Sequence, residues 1–342
     1  MTALRVVAAG PGVTLQDGGR RFHLRFGVTA AGPMDPLAFA TANAAAGAPP
    51  GATAIEVSLG GVELEAEGAP LTVAVAGGQF RLALGDRAMA PAARVRLDPG
   101  QMLSIRPGPA GAWCYVAVSG RIDVAPVLGS VSTHIRSALG GIFGRALQAG
   151  DLLPVTGARV LDPAPAAIVA PWLDRPGDVV RVVLGPQDDY FGRDDIAAFL
   201  TGPWTVSARS DRMAYRLEGP RLRHAKGFNI VSDGVAMGAI QVPGEGFPVV
   251  LMADRQPTGG YPKIATVIGA DHGRLAQLRA GAQLRFEAVA VADAVDARRR
   301  DAQALARPIA LTPLRRTEFP SEYLLGLNLV DGVISSADDA PV

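Results

Sequence analysis

The chain has 342 residues, of which 49% are hydrophobic and 19% charged, and its formal net charge is +1. This length and composition exclude an intrinsically disordered chain and are enough for about two globular domains with separate cores. The balanced charge offers no basic surface for binding nucleic acid, and the single cysteine, Cys114, excludes an internal disulfide and a cysteine-based zinc site.

The sequence carries no signal of a membrane protein. The N-terminal segment lacks the basic stretch and long apolar run of a secretion signal, and no segment reaches about 18 uninterrupted apolar residues. The four histidines are far apart and show no metal-ligand spacing. We therefore expect a cytoplasmic protein that binds neither membranes nor nucleic acid, without a metal centre of its own.

The first half of the chain is predicted to contain one helix followed by strands. Asp35 is a typical N-cap, Pro36 suits the first helical turn, and Gly47 ends the apolar stretch. Apolar and polar residues then alternate with period two, which predicts strands over 62–68, 71–78, 94–108 and 113–120.

The second half continues this pattern. Further strands are predicted in the segments GAIQVP and FPVVLMAD and over 179–185, 204–210, 214–220 and 283–291, with helices over 193–200 and 291–306. Strands at such spacing are typical of barrels or sandwiches. The run over 161–178 is rich in proline and alanine and is the best candidate boundary.

These patterns define three parts of the chain. We predict a first subdomain over 1–160, a second over 175–292, and a helix with an irregular tail over 293–342. The end of the tail has the composition of a partly disordered segment.

Polar residues and glycines gather in the stretch 238–266, between two strand-like runs. Gln241 alternates with Ile240 on a predicted strand, so a buried Gln241 would need partners for its amide, and a substrate amide or lactam offers one donor and one acceptor. The following segment combines side chains and backbone groups suited to binding an oxyanion: Thr258, Gly259, Gly260, Tyr261 and Lys263. Two adjacent glycines allow unusual backbone angles that expose successive N–H groups. The alternative is a plain hairpin with a solvent-facing glutamine.

Four polar residues outside this stretch are further candidates. Asp211 would orient a substrate or position Arg212, whose planar guanidinium suits a carboxylate or phosphate. Asp17 lies in a glycine-rich loop and Asn43 in the first predicted helix, where each would line the site. The alternatives are a turn aspartate with an exposed arginine, and ordinary cap and core residues.

A series of motifs resembles the biotin-dependent carboxyltransferase subdomain A/B family, also called allophanate hydrolase subunit 2. The motifs occur in order as VTLQDGGR (13–20), FGVTAAGPMD (26–35), ATAIEVSLGG (52–61), GSVSTH (129–134), SDRMAYRLEGP (210–220), GAIQVP and ADRQPTGGYPKIATVI (253–268). The resemblance implies a mainly β chain with two tandem cyclophilin-like β-barrel subdomains and a few short helices. It also implies a partner subunit of the KipI (PxpB) type.

The resemblance implies, first, the C subunit (PxpC) of an ATP-dependent 5-oxoprolinase. The chain would activate the 5-oxoproline lactam together with the KipI/PxpB-type subunit, and a lactam hydrolase A-type subunit would complete hydrolysis to glutamate, with ATP and Mg²⁺ as cofactors. In this hypothesis the catalytic residues are Gln241, Lys263 and Asp211. The substrate-binding residues are Arg212, Thr258, Gly259, Gly260, Tyr261, Asp17 and Asn43.

Two other functions remain open at this point. One is the carboxyltransferase subunit of a biotin-dependent urea or amide carboxylase, with carboxybiotin as donor carried by a separate protein. The other is a KipA-like regulator that binds a KipI-like partner without catalysis. The same polar residues would serve the first alternative, whereas the second does not require them.

Overall fold

A computed structural model describes residues 2–161, 165–175 and 178–314. The predicted tail beyond residue 314 and parts of the candidate boundary over 161–178 lie outside the described residues. Within the described ranges, no helix is long and apolar enough to cross a lipid bilayer.

The described part before residue 170 contains eleven strands and one α-helix. Strands β1 to β11 are Thr2–Ala9, Thr14–Gln16, Ala54–Val57, Val62–Glu67, Leu71–Leu84, Arg87–Met89, Ala93–Leu97, Met102–Val118, Arg121–Ile122, Leu152–Thr156 and Ala166–Val169, and helix α1 is Pro36–Ala45.

The part after residue 178 contains the remaining elements. Strands β12 to β21 are Val179–Leu184, Trp204–Val206, Ala214–Glu218, Asp233–Gly234, Ala239–Gln241, Val249–Leu251, Thr258–Gly259, Lys263–Val267, Gln283–Ala288 and Ala310–Pro313. Helices α2 to α4 are Arg193–Thr201, His272–Ala276 and Val291–Leu305.

The first half folds as a 12-stranded sheet in the order β21-β11-β7-β5-β8-β4-β1-β10-β9. Of the three other strands, β3 pairs with β8 and with β2, and β6 pairs with β5. The long strands β5 and β8 pair antiparallel and carry the centre of the sheet. Gly77 has φ 145° at an irregularity of this pair, and a Cβ there would lie 2.6 Å from the Cα of Cys114. Only glycine fits this approach, and Cys114 is buried as predicted.

The second half forms a closed barrel in the order β12-β19-β16-β17-β14-β13-β20. A parallel pair, β12 with β20, closes it. Its core contains the fully buried Trp204 and Phe199, and the Phe199 ring stacks on Phe286 at 4.6 Å between centroids. The prediction of a mainly β chain with few helices is confirmed. The barrel leaves one short antiparallel pair, β15 with β18, outside its wall.

The helices match their sequence signals. Asp35 Oδ1 accepts a hydrogen bond from the Ala38 N–H at 3.2 Å and caps α1, as its position before Pro36 predicts. Helices α2 and α4 fall within one residue of the predicted ranges. Helix α3 was not predicted, because its five residues are too few for a helical period to show.

The two halves are in direct contact. The Arg279 guanidinium donates to the carbonyl oxygens of Gly108 and Gly111 at 3.0 and 2.7 Å, and the Trp113 indole donates to the Tyr215 hydroxyl at 3.3 Å. After α4, strand β21 returns to the first sheet and pairs with β11. The subdomain limits 1–160, 175–292 and 293–342 stay predictions, and β21 shows that the third part contributes to the first sheet.

Candidate functional site

Gln241 and Lys263 lie side by side at one end of the barrel. They are register partners on the neighbouring strands β16 and β19, where the ladder is irregular between Ile240 and Gln241. Gln241 is 2% exposed and Lys263 is 3% exposed. The structure therefore brings an amide and an ammonium-bearing side chain of this stretch together.

The amide of Gln241 is only weakly hydrogen-bonded. Its Nε2 donates to the Tyr261 carbonyl at 3.5 Å, and its Oε1 accepts from Gln256 Nε2 at 3.4 Å. Both distances are well above the usual value of about 2.9 Å. Among the described residues, Gln256 Oε1 is buried and has no partner. This pair of amides keeps hydrogen-bonding capacity that the protein itself does not use.

The segment after Gln256 does not form the glycine turn that the sequence predicted. Thr258–Gly259 is a two-residue strand paired with Asp233–Gly234, and neither Gly259 nor Gly260 adopts the left-handed backbone conformation. Gly259 is needed for space instead, since a Cβ there would lie 2.3 Å from Gln241 Nε2. The side chains of Thr258 and Tyr261 are exposed.

An aspartate that sequence reasoning missed completes the cluster. Asp233 Oδ2 accepts from Lys263 Nζ at 3.0 Å, and the Gln187 side chain accepts from the Lys263 backbone N–H at 3.1 Å. The hydrogen bond and charge of Lys263 hold the pKa of Asp233 below its usual value. Asp233 precedes a glycine and resembles any turn aspartate in sequence, so no local signal marks it. We call Gln187, Asp233, Gln241, Gln256 and Lys263 the amide cluster.

Arg212 lies in a second buried cluster, between the two halves. Its guanidinium donates two bonds of 2.9 Å to the Asp254 carboxylate, one of 2.8 Å to the Gly32 carbonyl, and one to Glu56. Burial alone would lower the pKa of Arg212, but the carboxylates of Asp254 and Glu56 raise it above its usual value. The expected alternative of an exposed arginine is wrong, because the side chain is 8% exposed.

Glu56 extends this ion cluster into the first half. Its carboxylate accepts from the Met34 N–H and from the Tyr115 hydroxyl, each at 2.8 Å. The fork of Arg212 is thus occupied by protein carboxylates. Its predicted role in binding substrate would require one of these pairs to open.

Asp211 lies apart from the amide cluster. Its carboxylate accepts from the backbone N–H groups of Met213 and Ala214 at 2.8 and 3.1 Å and pairs with the exposed Arg136 at 3.3 Å. It lines a cavity of about 450 Å³ whose wall also includes Trp113, and the wall does not include Gln241. The turn-aspartate alternative describes these contacts.

Asp17 and Asn43 support loops in the first half. Asp17 accepts from the hydroxyls of Ser130 and Ser132 at 2.6 Å and from the Val131 N–H at 2.7 Å. Burial alone would raise the pKa of Asp17, but these hydrogen bonds bring it below its usual value. Asn43 Nδ2 donates to the Ala52 carbonyl at 3.0 Å. Neither residue contacts the amide cluster, so the cap-and-core alternative fits them.

The described residues provide no evident metal site. In the ranges 2–161, 165–175 and 178–314, no group of three or more His, Cys, Asp or Glu side chains is placed to hold a metal ion. We derive no step through ATP or Mg²⁺.

Known proteins resemble this chain over most of its length. It is 38% identical over 297 residues to the 5-oxoprolinase C subunit of Escherichia coli, covering 86% of this chain and 94% of that protein. It is 36% identical over 288 residues to the 5-oxoprolinase C subunit of Haemophilus influenzae, covering 84% and 92%.

A solved structure extends the likeness to the fold. The urea amidolyase of K. lactis superposes with a TM-score of 0.82 at 28% identity, covering 89% of this chain but 20% of that larger one. The family model for the carboxyltransferase domain, subdomain A and B, matches residues 26–288. The chain belongs to the carboxyltransferase subdomain A and B family.

Proposed function

We propose that this chain is the C subunit of a 5-oxoprolinase, which hydrolyses the cyclic amide of 5-oxoproline to glutamate. The support is the match to two proteins of that name across 94% and 92% of their lengths. The proposal includes ATP with Mg²⁺ as cofactors of the whole complex, a KipI/PxpB-type subunit and a lactam hydrolase A-type subunit as partners, and a cytoplasmic location.

The amide cluster, whose hydrogen bonds are incomplete, links the proposal to particular residues. A lactam presents its N–H and C=O on one edge. Gln241 Oε1 would therefore accept from the ring N–H, while the Nε2 of one of the glutamines in the amide cluster donates to the ring oxygen. Lys263 would stabilise negative charge that develops on that oxygen as the ring opens. Gly259 lies against the Gln241 amide, so the short β15–β18 pair covers the cluster and would have to shift to admit the substrate.

Reconstitution tests the function. The purified chain is mixed with its B-type and A-type subunits from the same genome, and glutamate release from 5-oxoproline is measured with and without ATP. We expect ATP-dependent release that requires this chain. No glutamate release from the complete, correctly folded mixture would contradict the proposal.

A biotin-dependent urea or amide carboxylase is the second candidate, favoured by the fold shared with the urea amidolyase. In that case the amide cluster would bind urea, and carboxybiotin would be the donor. This candidate is the weaker one, because the chain matches 94% and 92% of the lengths of the two 5-oxoprolinase subunits but only 20% of the urea amidolyase. Transfer of the carboxyl group from carboxybiotin to urea, with no activity on 5-oxoproline, would favour it.

A KipA-like regulatory role remains a third hypothesis. A regulator would need a surface for its KipI-like partner but not the amide cluster. If Gln241→Ala and Lys263→Ala both leave partner binding intact while glutamate release is lost, the chain is acting in catalysis rather than only as a binding protein.

A further inference from the structure

A second polar cavity lies between the two halves of the molecule, beneath helix α4. It has a volume of about 440 Å³, within the size range of small-molecule sites. Three arginines line it, namely Arg21 from the first half, Arg175 from the segment between the halves, and Arg298 from α4. One carboxylate, Asp301, also lies in the wall. The charged side chains that face the cavity therefore have an excess of positive charge.

Arg175 is held in place and yet incompletely bonded. Its Nη2 donates to Asp35 Oδ2 at 2.6 Å, and Asp35 itself is not part of the cavity wall. Its side chain is only 12% exposed, and within the described part of the chain its Nε and Nη1 atoms are buried without any hydrogen-bond partner. Leaving buried donors of a guanidinium unbonded is costly. Because these N–H groups have no partner among the described residues, an acceptor bound in the cavity beside them would relieve that cost.

The other two arginines are similarly available. Neither Arg21 nor Arg298 forms a hydrogen bond or an ion pair with another described residue, and both are exposed at the cavity. His272 adds no charge: burial, with the nearby charges of Arg255 and Arg298, lowers its pKa to about 4. The ring is therefore neutral at neutral pH.

Apolar side chains complete the wall. The same cavity is lined by Leu37 of α1, by Leu305 of α4, and by Met237, which precedes β16. An occupant therefore meets guanidinium groups on one part and hydrocarbon on another. A hydrated inorganic cation would meet the wrong charge, and a purely apolar molecule would leave the buried donors unbonded.

This cavity is distinct from the amide cluster. Gln241 and Lys263 lie at one end of the strand pair β16–β19, whereas the cavity wall includes Met237 and Gly269, which lie beyond its other end. The four-residue step from Lys263 to Val267 alone spans about 13 Å in an extended strand.

We propose that the cavity is a binding site for a small organic anion. Its carboxylate or phosphate group is held by Arg175, Arg21 and Arg298, and its hydrocarbon part packs against Leu37, Met237 and Leu305. The planar guanidinium of Arg175 suits either head group because it donates two parallel hydrogen bonds.

Isothermal titration calorimetry on the intact, isolated chain tests this site. The probes are 5-oxoproline and glutamate as carboxylates, and ATP without Mg²⁺ and inorganic phosphate as phosphates. We expect at least one probe to bind, and we expect Arg298→Ala and Arg21→Ala each to weaken its binding by about tenfold through loss of a charge-assisted bond. Binding of carboxylates alone or of phosphates alone supports the site and identifies the head group.

The controls separate this site from the fold and from the amide cluster. Arg299→Ala removes the next arginine along α4, which pairs with Asp296 on the surface and is not part of the cavity wall, so it should leave the affinity unchanged. Gln241→Ala separates the two sites: a fall in 5-oxoproline affinity in this variant belongs to the amide cluster, whereas the losses in Arg298→Ala and Arg21→Ala belong to this cavity. Arg175 is kept because its loss would remove the cation that pairs with the buried Asp35. No binding of any probe, or unchanged binding in both Arg298→Ala and Arg21→Ala, would overturn the proposal, whatever the outcome of the glutamate-release assay.

Discussion

The molecule contains two polar clusters built around buried side chains, Arg212 and Gln241, and they differ in how fully their groups are hydrogen-bonded. Around Arg212, the guanidinium meets Asp254 twice at 2.9 Å and also contacts Glu56 and the Gly32 carbonyl. In the amide cluster, the bonds of Gln241 are 3.4 and 3.5 Å long.

This difference separates a stabilising role from a binding role. A saturated buried ion cluster leaves no group for a ligand and joins residues from the two halves. An amide pair with weak bonds and an unpaired oxygen loses little when a ligand replaces those bonds. We therefore propose that the Arg212 cluster stabilises the fold and that the amide cluster contacts the substrate, and each of the following variants tests one side of that assignment.

The largest expected effect is on stability at Arg212. Arg212→Met leaves the carboxylates of Glu56 and Asp254 buried without their cation, and removing one partner of a buried ion pair typically costs about 3–5 kcal/mol. The measurement is the free energy of unfolding in urea. Arg136→Met, which breaks an exposed pair with Asp211, is the matched control and should cost less than about 1 kcal/mol. A loss of similar small size at both positions would refute the stabilising role of the Arg212 cluster.

A moderate effect on activity is expected at Gly259. Gly259→Ala places a Cβ 2.3 Å from Gln241 Nε2, and the flexible amide moves aside rather than the backbone. We expect the rate of glutamate release to fall by about tenfold because the amide is displaced from its position, with little change in stability. Gly234→Ala on the paired strand is the control, since a Cβ there meets no atom within 4 Å. Equal rates for the two variants would show that the position of the Gln241 amide is unimportant.

The smallest effect is a change in titration at Asp233. Its pKa is lowered by Lys263, so the stability that their pair contributes is present above the unfolded-state pKa and is lost as pH falls through the folded-state value. Lys263→Met should raise the pKa of Asp233 towards the usual 3.8, as measured by carboxyl-carbon NMR. An unchanged pKa would mean that the two side chains do not pair in solution.

Local signals explain which parts of the fold could be predicted. The cap at Asp35 and the proline after it determine where α1 begins, and alternation predicted most strands because neighbouring residues contain that information. The predicted run 94–108 instead covers most of β7 and the start of β8, and β8 continues through Gly108 and Gly111 along its partner β5 into the predicted run 113–120. Glycines that resemble turns in sequence are here required by close backbone packing.

The site was predictable only in part. Gln241 and Lys263 stand out because a barrel strand does not require them, and strand pairing places them together. The partners of Arg212 could not be found this way, since Glu56 is 156 residues away and Asp254 is 42 residues away in the chain. Asp233 likewise approaches Lys263 through the pairing of two-residue strands, which leaves no periodic signal.

The most direct test compares activity and stability in one variant, Gln241→Ala, with Gln283→Ala on an exposed position of a barrel strand as control. Glutamate release by the reconstituted complex and the urea unfolding of the isolated chain are measured for both. If the amide cluster contacts the substrate, Gln241→Ala lowers the rate by about a hundredfold while the free energy of unfolding changes by no more than about 1 kcal/mol. An unchanged rate, or a loss of activity that follows from a large loss of stability, would contradict the assignment.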